Sequence, residues 1–305
     1  MKKIFTFFTM MAALAANAQP AMVATQATTL DTYSDDFNNT TSLSNWQQFH
    51  TVENYPDKIR SMTVENGILS LQPYASGWYA DYQAPFLFKT IAGDFDVRAK
   101  VKVSGTNGDL PSSEWSLAGL MVRQAKRSTS ENWQPRHENW LFITTGIAEP
   151  KGVPMFEVKT TNNSMSNLKL RPARKGWVEL RVVRVQASFI MMYRYEGEPW
   201  TILERFYRPL MPPQVQVGLN AYSGWNQLPM DVSRDPQKHN ATLLKDIPTD
   251  LLFQVDYVHF QKPALNEVKL NALAQKGFQA GYYTPANLLT DFNVSNEQVL
   301  EIVGN

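Results

Sequence analysis

The sequence predicts an all-β protein: two antiparallel sheets packed as a sandwich, followed by a short helical tail. Three observations carry this. Several segments alternate apolar and polar residues with strict period two, as strands with one buried face do. Turn signals separate these segments at roughly ten-residue spacing. No helical period intervenes before about residue 263.

Taken in order, the chain opens on Lys2 and Lys3, an apolar run from Ile4 to Ala15 and the small-x-small site Ala16-Asn17-Ala18. This is the three-part pattern of a secretory signal peptide over residues 1–18, too short in its apolar part to span a bilayer. An apolar first strand is the plainer alternative. Residues 19–34 are small and polar and read as a flexible leader, with structure beginning near Asp35-Asp36-Phe37.

The sandwich is expected over residues 35–263. Phe95, Val97, Ala99, Val101 and Val103 share one face of the clearest strand, while Asp96, Arg98, Lys100 and Lys102 share the other. Val178, Leu180 and Val182 alternate in the same way, as do Phe189, Met191, Tyr193 and Tyr195, and Val215, Val217, Leu219 and Ala221. Leu117 to Val122 is apolar on both faces, which suits a central strand. Asn66-Gly67, Gly105 to Gly108, Glu196 to Pro199 and Pro212-Pro213 supply the turns.

Residues 264–305 change character. Leu265, Val268 and Leu273 hint at a short helix, and Thr284-Pro285 reads as a cap with proline at the first helical position. Ser295-Asn296-Glu297-Gln298 is a capping-box pattern ahead of Val299, Ile302 and Val303, with Gly304 as a stop. A helix-hairpin-helix reading of this end lacks the glycine-rich hairpin and basic residues that nucleic acid requires.

Composition narrows the function classes. There is no cysteine among 305 residues, which excludes disulfides, thiol catalysis and thiolate metal sites. A domain of more than 200 residues buries enough apolar area without such staples. Cleavage after Ala18 takes two lysines from the 29 Lys and Arg, leaving 27 against 28 Asp and Glu, a net charge of −1. That balance offers no field for nucleic acid or an anionic membrane, and no later stretch is long and apolar enough for membrane insertion.

Particular segments carry more. These are Phe37 and Trp46, Val64-Glu65-Asn66-Gly67-Ile68-Leu69-Ser70-Leu71, Gly93 to Val97, Ala118 to Arg123, Glu138-Asn139-Trp140, Trp177 to Arg181, Tyr193 to Gly197, and Gln214 to Leu219. In this order and spacing the chain resembles the concanavalin A-like lectin/glucanase superfamily, and more narrowly a bacterial exported jelly-roll family of poorly defined activity. The resemblance covers about residues 35–262. It implies a jelly-roll sandwich with one concave sheet and sugar recognition in its groove. It does not imply one activity, since lectins, binding modules, hydrolases, lyases and adhesion modules share the fold.

The retaining glucanases of this superfamily carry Glu-x-Asp-x-x-Glu along one strand. Alternation then sets two carboxylates about 5–5.5 Å apart across the glycosidic bond. The pattern is absent here. Asp94 and Asp96 alternate, but they open a strand whose outer face continues Arg98, Lys100 and Lys102, and they read as a solvated charged face. Asp81, Glu114 and Glu138 each lie near an aromatic, and a non-standard pair for a glycoside hydrolase or polysaccharide lyase would be built from them. The four histidines lack metal-ligand spacing. Asp36 and Asp256, near the first and last strands, are the candidate ligands of a structural calcium, which is common in the superfamily; no other cofactor is expected.

The aromatic and polar mixture points to a polysaccharide or oligosaccharide partner. Sugar rings present apolar C–H faces and polar rims, so a binding groove needs flat aromatics beside groups that fork onto hydroxyls. Gly77-Trp78-Tyr79-Ala80-Asp81-Tyr82 places three aromatics and a carboxylate in six residues. Trp115, Trp133 and Trp225 lie in polar stretches, whereas Trp46, Trp140 and Trp177 adjoin apolar strands and suit the core. Arg123 ends an apolar strand and either pairs with a buried carboxylate or reaches a ligand. Asn220 and Tyr222 share the alternate face of a strand whose other face is Val and Leu. The expected reading is an exported, periplasmic or extracellular glycan-binding module using Trp78, Asp81, Trp115, Arg123, Asn220, Tyr222 and Trp225. A hydrolase or lyase on the carboxylates, and an adhesion module that binds protein, are the alternatives.

Overall fold

Alternation of the kind read above forces each strand to bury one face, and the computed structural model shows where those faces go. It describes residues 29–126, 128–279 and 287–304. Among them two seven-stranded sheets form, antiparallel throughout. The first runs β1 (Gln47–Gln48), β4 (Phe86–Ala92), β13 (Gln214–Tyr222), β6 (Ser116–Arg123), β7 (Trp140–Ile147), β8 (Pro154–Asn162) and β9 (Met165–Pro172). The second runs β12 (Thr201–Tyr207), β11 (Ser188–Arg194), β10 (Trp177–Val185), β5 (Phe95–Gly105), β14 (Leu251–Gln261), β3 (Ile68–Pro73) and β2 (Ile59–Glu65).

The alternating residues named from sequence meet between the sheets. Phe95, Val97, Ala99, Val101 and Val103 of β5 pack with Val178, Leu180 and Val182 of β10. From the other sheet come Ala118, Leu120, Val122, Val215, Val217 and Leu219. β6 sits at the centre of its sheet and buries both faces, as its unbroken apolar run predicts. The β2–β3 hairpin turns on Asn66 and Gly67, both left-handed at φ 52° and 75°, the backbone an Asn-Gly hairpin turn needs.

The tail packs on the outward face of the second sheet. The short helices α1 (Phe49–Glu53), α2 (Met230–Ser233) and α3 (Pro236–Ala241) precede it in the chain; helices α4 (Glu267–Gln279) and α5 (Asn296–Val303) form the tail, and the Ser295–Gln298 capping box is present. Val299, Ile302 and Val303 close over Val183, Ile190, Met192, Trp200 and Ile202. Arg181 reaches from β10 to the end of α5 and donates to the carbonyls of Val303 and Gly304 at 2.8 and 2.6 Å. This cover corrects one expectation. Asp96 is not solvated but fully buried, held by Arg181 and Arg98 and by the amide of Gln261. Burial opposes its ionisation, but hydrogen bonds from the two guanidiniums hold its carboxyl below the usual range.

The leader boundary also moves. Leu30–Tyr33 form a 3-10 turn, Leu30 is buried in the core, and Asp35 bridges to Val258. Order therefore begins before residue 35, because Leu30 and Tyr33 supply apolar surface that the sandwich edge buries. The signal segment 1–18, leader residues 19–28 and the Thr284-Pro285 cap lie outside the described residues. Among the described residues no helix is long and apolar enough to cross a membrane.

Candidate functional site

The outward face of the first sheet is the functional candidate, and strand register lays out its side chains. One row across β13, β6, β7 and β8 reads Gln216, Arg123, Trp140, Thr161; the next Gly218, Met121, Phe142, Lys159; the next Asn220, Gly119, Thr144, Glu157. Tyr222 begins the row after that. Residues on the same face of adjacent strands touch, so this sequence of rows moves from a charged end, through aromatics, to a polar floor.

The charged end is closed. Arg123 is fully buried and donates to both oxygens of Glu138, at 2.9 and 3.1 Å, and to Glu53 at 2.6 Å and Gln216 at 2.9 Å. Lys126 adds a second cation 2.8 Å from Glu138. Burial opposes the ionisation of Glu138, but these two cations overcome it and hold the carboxyl at about 2. Helix α1 (Phe49–Glu53) covers this network with Phe49. Of the two readings open for Arg123, pairing with a buried carboxylate is the one the structure contains.

The other end is open. Gly77, Trp78, Tyr79, Trp115, Glu149, Lys159, Leu168, Tyr222, Trp225 and Asn226 enclose a pocket of about 320 Å³. Trp115 is held by its indole N–H, which donates to Glu149 Oε1 at 3.0 Å. Its φ of +53° is unusual for a bulky residue, and such backbone strain concentrates at ligand sites. Trp225 lies against the backbone of Gly77, where an added Cβ would stand 2.4 Å from the indole; only glycine leaves room for the ring. Tyr82 and His239 brace Trp225 from the side, with ring centroids 4.9 and 5.9 Å away. Tyr79 is the exposed wall, at 46%.

The floor is polar and buried. Lys159 Nζ pairs with Glu157 at 2.6 Å and donates to the Trp78 carbonyl at 3.0 Å. It also lies 5.8 Å from the ring centres of Tyr79 and Tyr222, within cation–π range. The Tyr222 hydroxyl donates to Glu157 Oε2. Burial and the neighbouring carboxylate raise the Tyr222 phenol well above its ordinary value, so it remains a hydrogen-bond donor.

Of the residues expected from sequence, Trp78, Trp115, Tyr222 and Trp225 meet in this pocket, although Trp78 is 1% exposed and also packs edge-on against Phe49, Phe86 and Trp140. Asp81, Arg123 and Asn220 do not line it. Asp81 is buried and accepts from the Arg136 amide and the Ser164 hydroxyl. Asn220 is buried with neither side-chain atom hydrogen-bonded among the described residues. Trp133 packs against the aromatic cluster beside the charged end.

The three expected carboxylates are separately engaged. Glu138 belongs to the Arg123 network, Asp81 is held by the Arg136 amide and the Ser164 hydroxyl, and Glu114 accepts from the Lys151 amide and from Asn226 at the pocket mouth. Asp36 hydrogen-bonds His259 and Asp256 pairs with Lys100, and among the described residues no group of three or more His, Asp or Glu side chains assembles that would hold a metal.

Tyr79, named within the aromatic cluster of residues 77–82, is not among the binding residues expected from sequence, nor are Glu149, Glu157, Lys159 and Asn226. A signal existed for two of them. Glu157 and Lys159 alternate with Phe156 and Val158, which places opposite charges together on the face away from the core.

No family model and no curated protein matches this chain. Solved structures do resemble it. A functionally unknown protein from Saccharomyces cerevisiae superposes with a TM-score of 0.51 at 16% identity, over 72% of this chain and 98% of that one. A mutant of the GH43 protein BlXynB from Bacillus licheniformis gives 0.51 at 15% identity, over 76% of this chain and 39% of that one. This chain therefore spans about two fifths of the BlXynB length. What these structures share with this chain is the fold.

Proposed function

We propose that this chain is an exported glycan-binding module, and that the pocket walled by Tyr79, Trp115 and Trp225 holds the sugar. The observation that carries this reading is the pocket itself: fixed aromatic faces around an open volume, with Lys159 and Asn226 on its floor and rim. Aromatic walls take up the C–H faces of a pyranose, and a few placed polar groups orient its hydroxyls. The clamp of Glu149 on Trp115 and the seat of Trp225 on Gly77 remove the cost of ordering these rings on binding. The likeness to a GH43 protein supports carbohydrate as the ligand class.

Glycoside hydrolysis is the second reading. Glu149 on the pocket wall and Glu157 beneath its floor favour it, together with the GH43 likeness. Here Glu157 is already engaged on both oxygens, by Lys159 and Tyr222, whereas a two-carboxylate mechanism needs both groups free to face the glycosidic bond.

A glycan-array screen of the purified chain, with and without calcium, tests the first reading. A polysaccharide hit recovered intact after long incubation supports a binding module. Shortened products that disappear in Glu149→Gln establish the hydrolase instead. A blank array points to the protein-adhesion alternative.

A further inference from the structure

A second cavity adjoins the aromatic pocket. It measures about 480 Å³ and is lined by Ser113, Glu114, Lys151, Gln227 and Asp250 with their neighbours. Three chain segments build both cavities. Trp115, Glu149 and Trp225 face the aromatic one; Glu114, Lys151 and Gln227 face the polar one; Asn226 lines both. The saddle between them is tied by the Asn226 amide, which donates to Glu114 Oε2 at 3.0 Å. The polar cavity is stitched in the same way. Gln227 donates to Ser113 Oγ at 2.9 Å, the Ser112 amide to Asp250 Oδ2 at 2.8 Å, and the Lys151 amide to Glu114 Oε1 at 3.2 Å. Asp250 Oδ1 is buried without a hydrogen-bond partner among the described residues.

Charge selects among ligands. Three carboxylates line the two cavities, Glu114, Glu149 and Asp250, against two ammoniums, Lys151 and Lys159. Lys159 is already neutralised by Glu157. Among the described residues no arginine lines either cavity, so they supply no planar fork to grip carboxylates and sulfates. An acidic sugar would meet like charge on most sides.

We infer that the two cavities form one cleft for a neutral oligosaccharide, one unit stacked in the aromatic pocket and the next hydrogen-bonded in the polar one. The inference rests on the glycan-binding reading and adds to it the length and charge of the ligand.

The test is calorimetric titration of the full chain with β-1,4- and β-1,3-gluco-oligosaccharides of one to five units, each also oxidised at C6 to the uronate. Two variants accompany it: Ser113→Trp, which fills the polar cavity, and Trp115→Ala, which strips the aromatic one. Affinity is expected to rise at least tenfold between one unit and two or three, and to fall at least tenfold on oxidation. In Ser113→Trp the gain with length should vanish. Equal affinity for one unit and three, a length gain that survives in Ser113→Trp, or uronates that bind as tightly as neutral sugars would overturn the inference and leave the aromatic site standing. Binding of no series would overturn the glycan reading and this inference with it; binding unchanged in Trp115→Ala would overturn the assignment of the sugar to the aromatic pocket, and this inference with it.

Discussion

Lys58 shows how much one side chain can say about stability. It precedes β2, is buried, and donates to the carbonyls of Gln83 and His239, with no carboxylate paired to it among the described residues. Burial without an anion pushes its ammonium down from 10.5 to about 7. Between those values the unfolded chain holds a proton that the native chain has lost, so stability rises with pH across that window. Denaturant titrations at pH 6 and pH 9 should show the native state gaining a few kcal/mol, and Lys58→Met should remove the gain by stabilising the protein at pH 6. Arg123 makes the opposite case. Arg123→Leu strands Glu138 and Glu53 in the interior with Lys126 as their remaining cation among the described residues, and a loss of about 3–5 kcal/mol in unfolding free energy is expected. Sequence placed Arg123 as one of two things, and the choice turned on Glu53 and Glu138, 70 and 15 residues away. No local pattern carries that information.

Strands and helices were legible where their own period decides burial. β5, β10, β13 and the capped α5 follow directly from alternation and from Ser295 to Gln298. What period two does not say is what covers the second face. The tail covers β10 and β11 and buries Asp96, and α1 covers the Arg123 end of the first sheet. The same blindness divided the tryptophans. Trp78 and Trp225 both read as binding residues, yet Trp78 packs against nearby Phe86 and against Phe49 and Trp140 from distant segments, while the Trp225 ring walls the open pocket. Two predictions belong to this scale. Ile302→Ala, in the buried seam between α5 and the second sheet, should cost about 2–5 kcal/mol in chemical denaturation. Gly77→Ala should unseat Trp225 and weaken sugar binding about tenfold while thermal unfolding shifts far less, because the displaced ring sits at a pocket rim rather than in the core.

For the molecule as a whole, the two-sheet architecture was readable because many weak alternations agree. The site was half readable because a binding pocket is a meeting of loops rather than a pattern within one of them. Residues 77–79, 115, 149 and 225–226 converge only once the sheets have formed. The sandwich presents one closed, ion-paired end and one open aromatic end on the same outward face, and the account assigns ligand binding to the open end. The measurement that addresses this most directly is titration of the parent and of the Trp115→Ala/Trp225→Ala double variant with the polysaccharide that scores highest on the array. Circular dichroism and thermal unfolding serve as controls for the fold. The parent should bind saturably and the double variant should lose at least a hundredfold in affinity, tenfold or more for each ring removed, with unfolding little changed. Undiminished binding by a folded double variant would contradict this assignment, and would move the ligand to another surface of the sandwich.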